Sequence, residues 1–405
     1  MRFSPRHLIL VAAYGTVSLA ACSGGTGAPV APIHPDGSTP TATPVASAAP
    51  SAVPSATPIA TAAPTATPVR TASPAPTASP TPVPTTAPTT AACGFNITEI
   101  SLPAGSNPDY ITGGPDGNLW FTENGTNKIG RMTTTGTLTE FPIPTANSGP
   151  FDITPGPDGN LWFTEFNSGK IGRITTAGTI TEFTSANFFR PWNITTGPDG
   201  NLWYTDNSSG AIGRMTTSGV ASPEFAVQGS GAGDDREPYG IVAGPDGNMW
   251  ITDFLGAIDK MTTSGTATRF SIGSSEPDVI AVGPDGAMWF TLSFQYAIGH
   301  VTTGGTVAFD PTPSGGPQSY SNGIAAGPDD AMWFALNASA IGRITTSGSV
   351  EECPTPTQVP GGTTLPFGMT KGSDGEMWFT ENEVSKIGHI PTVAVPVSIR
   401  RSAAR

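Results

Sequence analysis

The chain is poor in charged residues, in cysteine and in histidine, and each shortage excludes a class of function. Only 12% of its 405 residues are charged, and the net charge is −13, whereas soluble proteins usually carry about 25% charged residues. No cluster of Lys or Arg occurs, which argues against binding to nucleic acid or to an anionic membrane surface. With three cysteines and four histidines, the chain shows no zinc-type Cys/His spacing. It also lacks phosphate-binding loops and Ser-His-Asp arrangements.

What the chain does have is a ten-residue stretch that occurs seven times. At residues 156–165 it reads GPDGNLWFTE, and its copies follow one another every 39 to 47 residues. They are centred on seven of the eight tryptophans: Trp120, Trp162, Trp203, Trp250, Trp289, Trp333 and Trp378. A repeat of about 40 residues made of short alternating runs and Gly/Asp turns is typical of a β-propeller blade.

One repeat, residues 150–183, predicts four short strands, which we call a to d. Residues 156–159 suit a tight turn, because the proline presets φ and the final glycine supplies a left-handed conformation. The run 161–165 is mostly apolar and predicts a strand buried on both faces. Residues 170–176 predict strand c, and the alternating run 179–183 predicts a strand at the rim. The shared register of the tryptophans predicts that they are core residues packed between neighbouring blades.

The number of strands indicates how the ring closes. Six central units are followed by an outer strand, near Glu140, Glu182, Glu224, Arg269, Ala308 and Glu352. The last unit ends at residues 386–390 without one, and a suitable strand lies before the first unit at residues 97–102. The sequence therefore predicts an all-β fold, a seven-bladed propeller of four-stranded blades. The N-terminal strand would complete the last blade and remove the exposed sheet edges.

Residues 1–22 predict an export signal. Arg2 and Arg6 precede a short apolar run at residues 8–17, which is too short for a stable membrane span. The tetrapeptide ending at Cys22 resembles a bacterial lipobox, in which the cysteine is lipidated and becomes the mature N-terminus. We therefore expect a protein of the cell envelope that contacts the membrane only through its lipid. The alternative is an ordinary signal peptide and a secreted protein.

The region after the signal divides into a disordered tether at 23–92, the propeller at 93–396 and a tail at 397–405. The tether is rich in Pro, Thr and Ala and has too little apolar area to offset chain entropy. It is either a stalk or a spacer without further role. An oxidising compartment would permit a disulfide between Cys93 and Cys353. The geometry of disulfides is demanding, so pairing stays open at this point.

The connections from strand d to the next strand a vary in length, whereas the turns of the opposite face are nearly identical. A rigid scaffold with one variable face usually carries its ligand site there. The residue after the proline that begins each strand a should surround the mouth of the central channel. This channel mouth consists of Asp109, Phe151, Trp192, Tyr239, Asp278, Asn322 and Phe367. Its aromatics and carboxylates would suit a flat or amphipathic small molecule or a peptide. Alternatively, the aromatics simply plug the channel.

The units LWFTEN at 119–124, KIGRITT at 170–176 and TEF at 181–183 resemble the repeats of streptogramin lyases, the virginiamycin B lyase family. The resemblance covers residues 96–392 and implies a seven-bladed propeller. It also implies a magnesium-dependent elimination that linearises a cyclic depsipeptide antibiotic at its ester. In that family a metal polarises the carbonyl group and a histidine acts as base.

The chain departs from the family pattern where the base should lie. The family places histidines directly after the proline of strand a in late blades, one of them within Glu-Pro-His. This chain has EPY at 237–239 and EPD at 276–278, and no channel-mouth residue is a histidine. The two histidines of the repeats, His300 and His389, occupy a position in strand c that should lie away from the channel.

Two functions of different class follow. The favoured one is a monomeric module that binds a small molecule or a peptide at the channel mouth. The alternative is a magnesium-dependent C–O lyase of the streptogramin B type. For it, the resemblance implies Glu237 and Glu276 as candidate metal ligands and Asp278 as a candidate base, if burial raises its pKa. A structural or adhesive role is the third possibility for a surface propeller.

Overall fold

The computed structural model describes residues 94–185, 188–227, 237–273, 275–293, 295–313 and 321–391, and two short segments at 67–72 and 77–78. The signal and lipidation site at 1–22, most of the tether, Cys93 and the tail at 397–405 lie outside the described residues. Thirty strands are described. None of the described residues belongs to a helix long and apolar enough to cross a bilayer.

The strands follow the predicted repeat. Strands β1 (Thr67–Ala72) and β2 (Thr77–Ala78) lie in the tether, and β3 is Thr98–Ser101. Blade 1 contains β4 (Pro108–Gly113), β5 (Leu119–Glu123), β6 (Lys128–Met132) and β7 (Leu138–Pro142). Blade 2 contains β8 (Pro150–Pro155), β9 (Leu161–Glu165), β10 (Lys170–Ile174) and β11 (Ile180–Thr184). Blade 3 contains β12 (Pro191–Thr196), β13 (Leu202–Asp206), β14 (Ala211–Met215) and β15 (Phe225–Ala226).

The later blades repeat this order. Blade 4 contains β16 (Pro238–Ala243), β17 (Met249–Asp253), β18 (Ala257–Met261) and β19 (Ala267–Ser271). Blade 5 contains β20 (Glu276–Val282), β21 (Met288–Ser293), β22 (Ala297–Val301) and β23 (Val307–Pro311). Blade 6 contains β24 (Ser321–Ala326), β25 (Ala331–Leu336), β26 (Ala340–Thr345) and β27 (Val350–Pro354). Blade 7 contains β28 (Pro366–Lys371), β29 (Met377–Glu381) and β30 (Lys386–Ile390).

Each blade is an antiparallel meander, and the ring closes as predicted. In blade 7, β3 pairs with β30, with Thr98 opposite His389 and Ser101 opposite Lys386. The first strands of successive blades contact one another all the way round, including β28 with β4, so they line the centre. The prediction of seven four-stranded blades closed by the N-terminal strand is confirmed.

Blades 1 and 2 each carry one additional strand from the tether. Strand β1 pairs with β11, and β2 pairs with β7. These positions are chemically reasonable because an outermost strand presents unpaired backbone groups to any extended segment. The outer strand of blade 3 is shorter than predicted, since it begins at Phe225 and leaves Glu224 just outside it.

The turn between strands a and b is fixed by the aspartate of the repeat. In blade 1, Asp116 Oδ1 accepts hydrogen bonds from the indole Nε1 of Trp120 (2.9 Å) and from the backbone N of Asn118 (3.2 Å). The next residue has a positive φ of 78° at Gly117, which glycine adopts without steric cost. Blade 6 has an aspartate there instead, and Asp330 takes a φ of 55°.

The seven repeat tryptophans are core residues, as predicted. They are 0–5% exposed. Each packs against the next blade, as Trp120 does against Ile153, Leu161 and Phe163. In five blades a cationic side chain of strand c lies over the indole, as Arg131 does over Trp120 at 5.5 Å from the ring centroid. Such cation–π contacts stabilise the packed indole in addition to the burial of its apolar surface.

A threonine in strand b joins the innermost strands of neighbouring blades. In blade 1, Thr122 Oγ1 accepts a hydrogen bond from the backbone N of Tyr110 (3.2 Å) and donates one to the carbonyl oxygen of Phe151 in blade 2 (2.7 Å). The same donation to the next blade is made by Thr164, Thr205, Thr252, Thr291 and Thr380. Blade 6 has Ala335 instead. There Asn322 Nδ2 makes the link by donating to the carbonyl oxygen of Pro366 (2.9 Å).

Candidate functional site

The channel mouth lies at an irregularity that recurs in every blade. In each blade the register of strand a against strand b shifts between the proline, or Ser321 in blade 6, and the isoleucine or methionine three positions later. Two residues per blade therefore leave the ladder, as in a β-bulge, which re-aims side chains. The first of each pair is the predicted channel-mouth residue.

The structure brings the four predicted aromatics together around Tyr110. Ring centroids lie 5.3 Å apart for Phe367 and Tyr110, 5.1 Å for Tyr110 and Phe151, 4.1 Å for Phe151 and Trp192, and 5.5 Å for Trp192 and Tyr239. Phe151 and Phe367 approach to 5.9 Å although blade 1 lies between their blades. We call these five residues the aromatic array. It runs without a break from blade 7 to blade 4.

The members of the array differ in exposure. Phe151 is 4% and Tyr239 8% exposed, so these rings close the channel. Trp192 and Phe367 are half-buried and therefore keep surface open to solvent. Trp192 also contacts Phe166 at 4.6 Å. Rings of the same array therefore differ in whether they reach solvent.

The acidic side of the channel mouth lies next to Tyr239. Asp278 is half-buried, and burial raises the pKa of its carboxyl to about 7, against the opposing effect of a hydrogen bond from Ser293. The pKa of Tyr239 is raised first by burial and then by the charges of Asp278, Glu237 and Glu276. The two glutamates named by the resemblance are therefore near Asp278, at the junction of blades 4 and 5.

Asp109 takes a different position from the rest of the channel mouth. Its side chain is fully buried. Its two oxygens accept hydrogen bonds from Asn124 Nδ2 (2.9 Å) and, in blade 7, from Asn382 Nδ2 (2.6 Å). Burial raises the pKa of Asp109 to about 7. Both oxygens are therefore engaged, and the hydrogen bond from Asn382 joins blade 1 to blade 7.

Sequence reasoning missed the second residue of each bulge. In blade 1 it is Tyr110, whose pKa is raised well above its usual value by burial and then by Asp278 and Asp152. In blade 2 it is Asp152, whose Oδ2 accepts hydrogen bonds from Asn193 Nδ2 (3.0 Å) and the backbone N of Ile194 (2.8 Å). Burial raises the pKa of Asp152 to about 6. The signal for these residues was their place two positions after the proline.

One buried aspartate orders the loops beside Trp192. Asp206 Oδ2 accepts hydrogen bonds from the backbone N of Phe189 (2.9 Å) and Arg190 (3.0 Å). Its Oδ1 accepts from the backbone N of Ser208 (3.0 Å) and Ser209 (3.2 Å). Phe189 is nevertheless 59% exposed. An apolar side chain is thus held in solvent by a constrained backbone at the edge of the site.

The described residues alone do not make up a magnesium site of the expected kind. Among them, no group of three or more His, Cys, Asp and Glu side chains is arranged to hold a metal ion. Glu237, Glu276 and Asp278 therefore do not form such a group. His300 and His389 lie in strand c and pack on Trp289 and Trp378, with ring centroids 4.6 Å and 4.4 Å apart.

Comparisons with known proteins find similarity to virginiamycin B and streptogramin B lyases. The virginiamycin B lyase family matches residues 89–233 and 188–395. A solved streptogramin B lyase is 30% identical, with 73% of this chain and 97% of that chain covered and a TM-score of 0.67. The virginiamycin B lyase of Staphylococcus aureus is 32% identical, with 74% and 100% covered and the same TM-score. A catalytically inactive variant of that enzyme, solved with quinupristin, matches equally well. A comparison with curated proteins gives no match.

Proposed function

The chain belongs to the virginiamycin B lyase family, and on that premise we propose that it acts as a binding module. Its ligand is a small molecule or a peptide that docks on the channel mouth of a monomeric propeller. The protein is exported, and a lipid on Cys22 anchors it in the cell envelope through the tether. Replacing Cys22 by Ser should release it from the membrane fraction of its host.

The observation that carries the proposal is the aromatic array, which contains two half-buried rings and ends at Tyr239, beside Asp278, Glu237 and Glu276. Binding sites are typically mostly apolar surfaces with a few polar groups that orient the ligand. Trp192 and Phe367 supply apolar surface that still reaches solvent. Asp278 supplies a polar group near Tyr239. The seven blades hold these side chains on rigid strands, and rigid strands reduce the ordering cost of binding.

A screen of cyclic peptides, aromatic small molecules and glycans by thermal shift, followed by calorimetry, tests the binding role. Trp192→Ala should weaken any hit by about five- to thirtyfold, since one aromatic contact contributes roughly 1–2 kcal/mol. Phe309→Ala is the matched control, because Phe309 is a 43% exposed ring on the outer strand of blade 5. Equal loss in both variants, or no hit in any class, would count against the proposal.

Family membership favours a second candidate, a lyase that linearises a cyclic depsipeptide. The inactive relative solved with quinupristin suggests the substrate class. In this chain the base would be Asp278, because a carboxyl with a pKa of about 7 can accept a proton near neutral pH. The metal of the family enters no step here, since the described residues do not complete its site.

The lyase is tested by incubating the protein with a type B streptogramin and magnesium. Elimination adds no water, so the linear product keeps the mass of the substrate. It must be recognised by its chromatographic retention and its fragmentation. Product that forms with the wild type and not with Asp278→Asn would establish the lyase. Unchanged substrate at high protein concentration would leave the binding module.

A further inference from the structure

Three neighbouring blades place an aromatic wall directly beside a carboxylate. The rings of Trp192 in blade 3 and Tyr239 in blade 4 lie 5.5 Å apart. The first strands of blades 4 and 5 also approach each other closely. A Cβ added to Gly240 would lie only 2.6 Å from the carbonyl oxygen of Asp278. Thr252 joins the same two strands, accepting from the N of Gly240 (2.7 Å) and donating to that carbonyl oxygen (2.5 Å). The wall and the backbone of Asp278 are therefore positioned by strands and not by loops.

The charges around this wall are unevenly distributed. The charges of three acids, namely Asp278, Glu237 and Glu276, raise the pKa of Tyr239. Arg190 lies on the other side of Trp192, over the ring of Phe166 at 4.1 Å from its centroid, and Arg269 of blade 4 is paired with Asp253 and Asp259. The side of the wall that faces blade 5 is thus electronegative, both from its carboxylates and from the negative faces of the aromatic rings.

We propose that the channel mouth selects ligands that carry an organic ammonium group, placed between the rings of Trp192 and Tyr239 and the carboxylate of Asp278. This inference rests on the proposed binding role and names the chemistry of its ligand. The faces of aromatic rings attract a cation, and the attraction is stronger where water is excluded. The carboxylate adds a charge-assisted contact. Anions of the same shape meet like charge.

An alkylated nitrogen fits this arrangement better than a metal ion does. Divalent metals require several oxygen ligands in close geometry, and the described residues provide no such group. Ring faces, in contrast, are the surfaces that recognise quaternary ammonium groups in other proteins. The apolar body of the ligand would extend along Trp192 toward Phe189, which is 59% exposed.

Three isosteric probes test the inference by calorimetry or by quenching of tryptophan fluorescence. They are the cation meta-hydroxyphenyl-trimethylammonium, its neutral isostere meta-tert-butylphenol and the anion meta-hydroxybenzenesulfonate. We expect the cation to bind about tenfold or more tightly than the neutral isostere, a difference of about 1.4 kcal/mol, and the anion to bind most weakly.

Two variants assign the effect to the site. Asp278→Asn should remove most of the preference for the cation and change binding of the neutral isostere by less than about twofold. Glu383→Gln is the control, because Glu383 is an exposed acid in the loop before β30. It removes one negative charge, as Asp278→Asn does, and should leave the preference intact.

The possible failures are distinguishable. If cation and neutral probe bind equally and Trp192→Ala weakens both, the inference is overturned while the binding module stands. If magnesium chloride displaces the cation and sodium chloride of the same ionic strength does not, the acids belong to a metal site and the inference is wrong. If the cation does not bind at all, the inference fails, and the broader ligand screen still decides the binding role.

Discussion

The two faces of the propeller follow different rules. On the face of the a–b turns, the same side chains recur in the same contacts, such as Trp120 with Asp116 and Trp162 with Asp158. On the face of the channel mouth, equivalent positions hold an aromatic ring at Trp192, a half-buried acid at Asp278 and an amide at Asn322. The backbone bulge is shared by all seven blades, and only its side chains differ. Uniform residues therefore build the scaffold, whereas the residues of the channel mouth differ from blade to blade, and some of them, such as Asp109 and Asn322, also join neighbouring blades.

The largest expected contrast is between two tryptophans. Trp162→Ala removes a 0% exposed ring between blades 2 and 3 and should lower the free energy of unfolding by about 3–5 kcal/mol. Trp192→Ala removes a half-buried ring of the channel mouth and should cost clearly less, on the order of 1 kcal/mol, while it weakens ligand binding. Urea unfolding followed by tryptophan fluorescence measures both. Equal losses of stability in the two variants would contradict the distinction between a structural tryptophan and a channel-mouth tryptophan.

The next effect concerns the turn aspartate. Asp158→Ala leaves the buried indole Nε1 of Trp162 without its 3.1 Å acceptor, and an unsatisfied buried donor costs roughly 1–3 kcal/mol. Asp158→Asn retains an acceptor oxygen and should cost less. A double-mutant cycle with Trp162→Phe isolates the hydrogen bond. Independent, additive effects in that cycle would show that the aspartate acts through the turn alone.

Buried glutamates make stability depend on pH. At the end of strand b, Glu123, Glu165 and Glu381 are 0% exposed. Burial first, and then the charges of Glu140, Glu182 and Glu99, raise their pKa values to about 8. A raised pKa means that the folded state binds the proton more tightly than the unfolded chain does. Their contribution is complete below the unfolded pKa of about 4.5 and is lost as the pH rises toward 8.

The melting temperature should therefore fall by several degrees between about pH 5 and pH 9. Glu123→Gln should flatten this dependence, because glutamine cannot ionise. Blade 4 is the internal contrast, since Asp253 there meets Arg269 at 2.7 Å. Asp253→Asn should not flatten the dependence in this direction. A melting temperature that rises with pH over this range would contradict the assignment of the three glutamates.

The smallest expected effect comes from a substitution in blade 6 that restores the residue found at the same position in the other blades. Ala335→Thr would supply the hydroxyl that links strand a to the next blade elsewhere in the ring. We expect a gain of about 0.5–1 kcal/mol, measured by urea unfolding in parallel with Thr291→Ala in blade 5. The Thr291 variant should lose at least as much. If Ala335→Thr is destabilising, Asn322 already fills the position, and the departure is an alternative solution.

The regular parts of the molecule could be predicted from the sequence, and the site only in part. The Trp-centred repeat, the glycine of each turn and the missing outer strand near Ile387 together fix seven blades and their closure. The positions of Tyr110 and Asp152 could not be predicted, because strand periodicity assumes a regular ladder. A bulge takes two successive residues out of that ladder, so simple alternation no longer assigns their side chains to a face. The burial of Asp109 likewise depends on Asn382, which is distant in sequence and adjacent only in the closed ring.

A crystal structure of the protein with the tightest ligand of the screen tests the central claim most directly. The account predicts ligand density on the channel mouth, in contact with the ring of Trp192 and within reach of the carboxylate of Asp278. Density on the face of the a–b turns or along the outer blade edges, with the channel mouth unchanged, would contradict it.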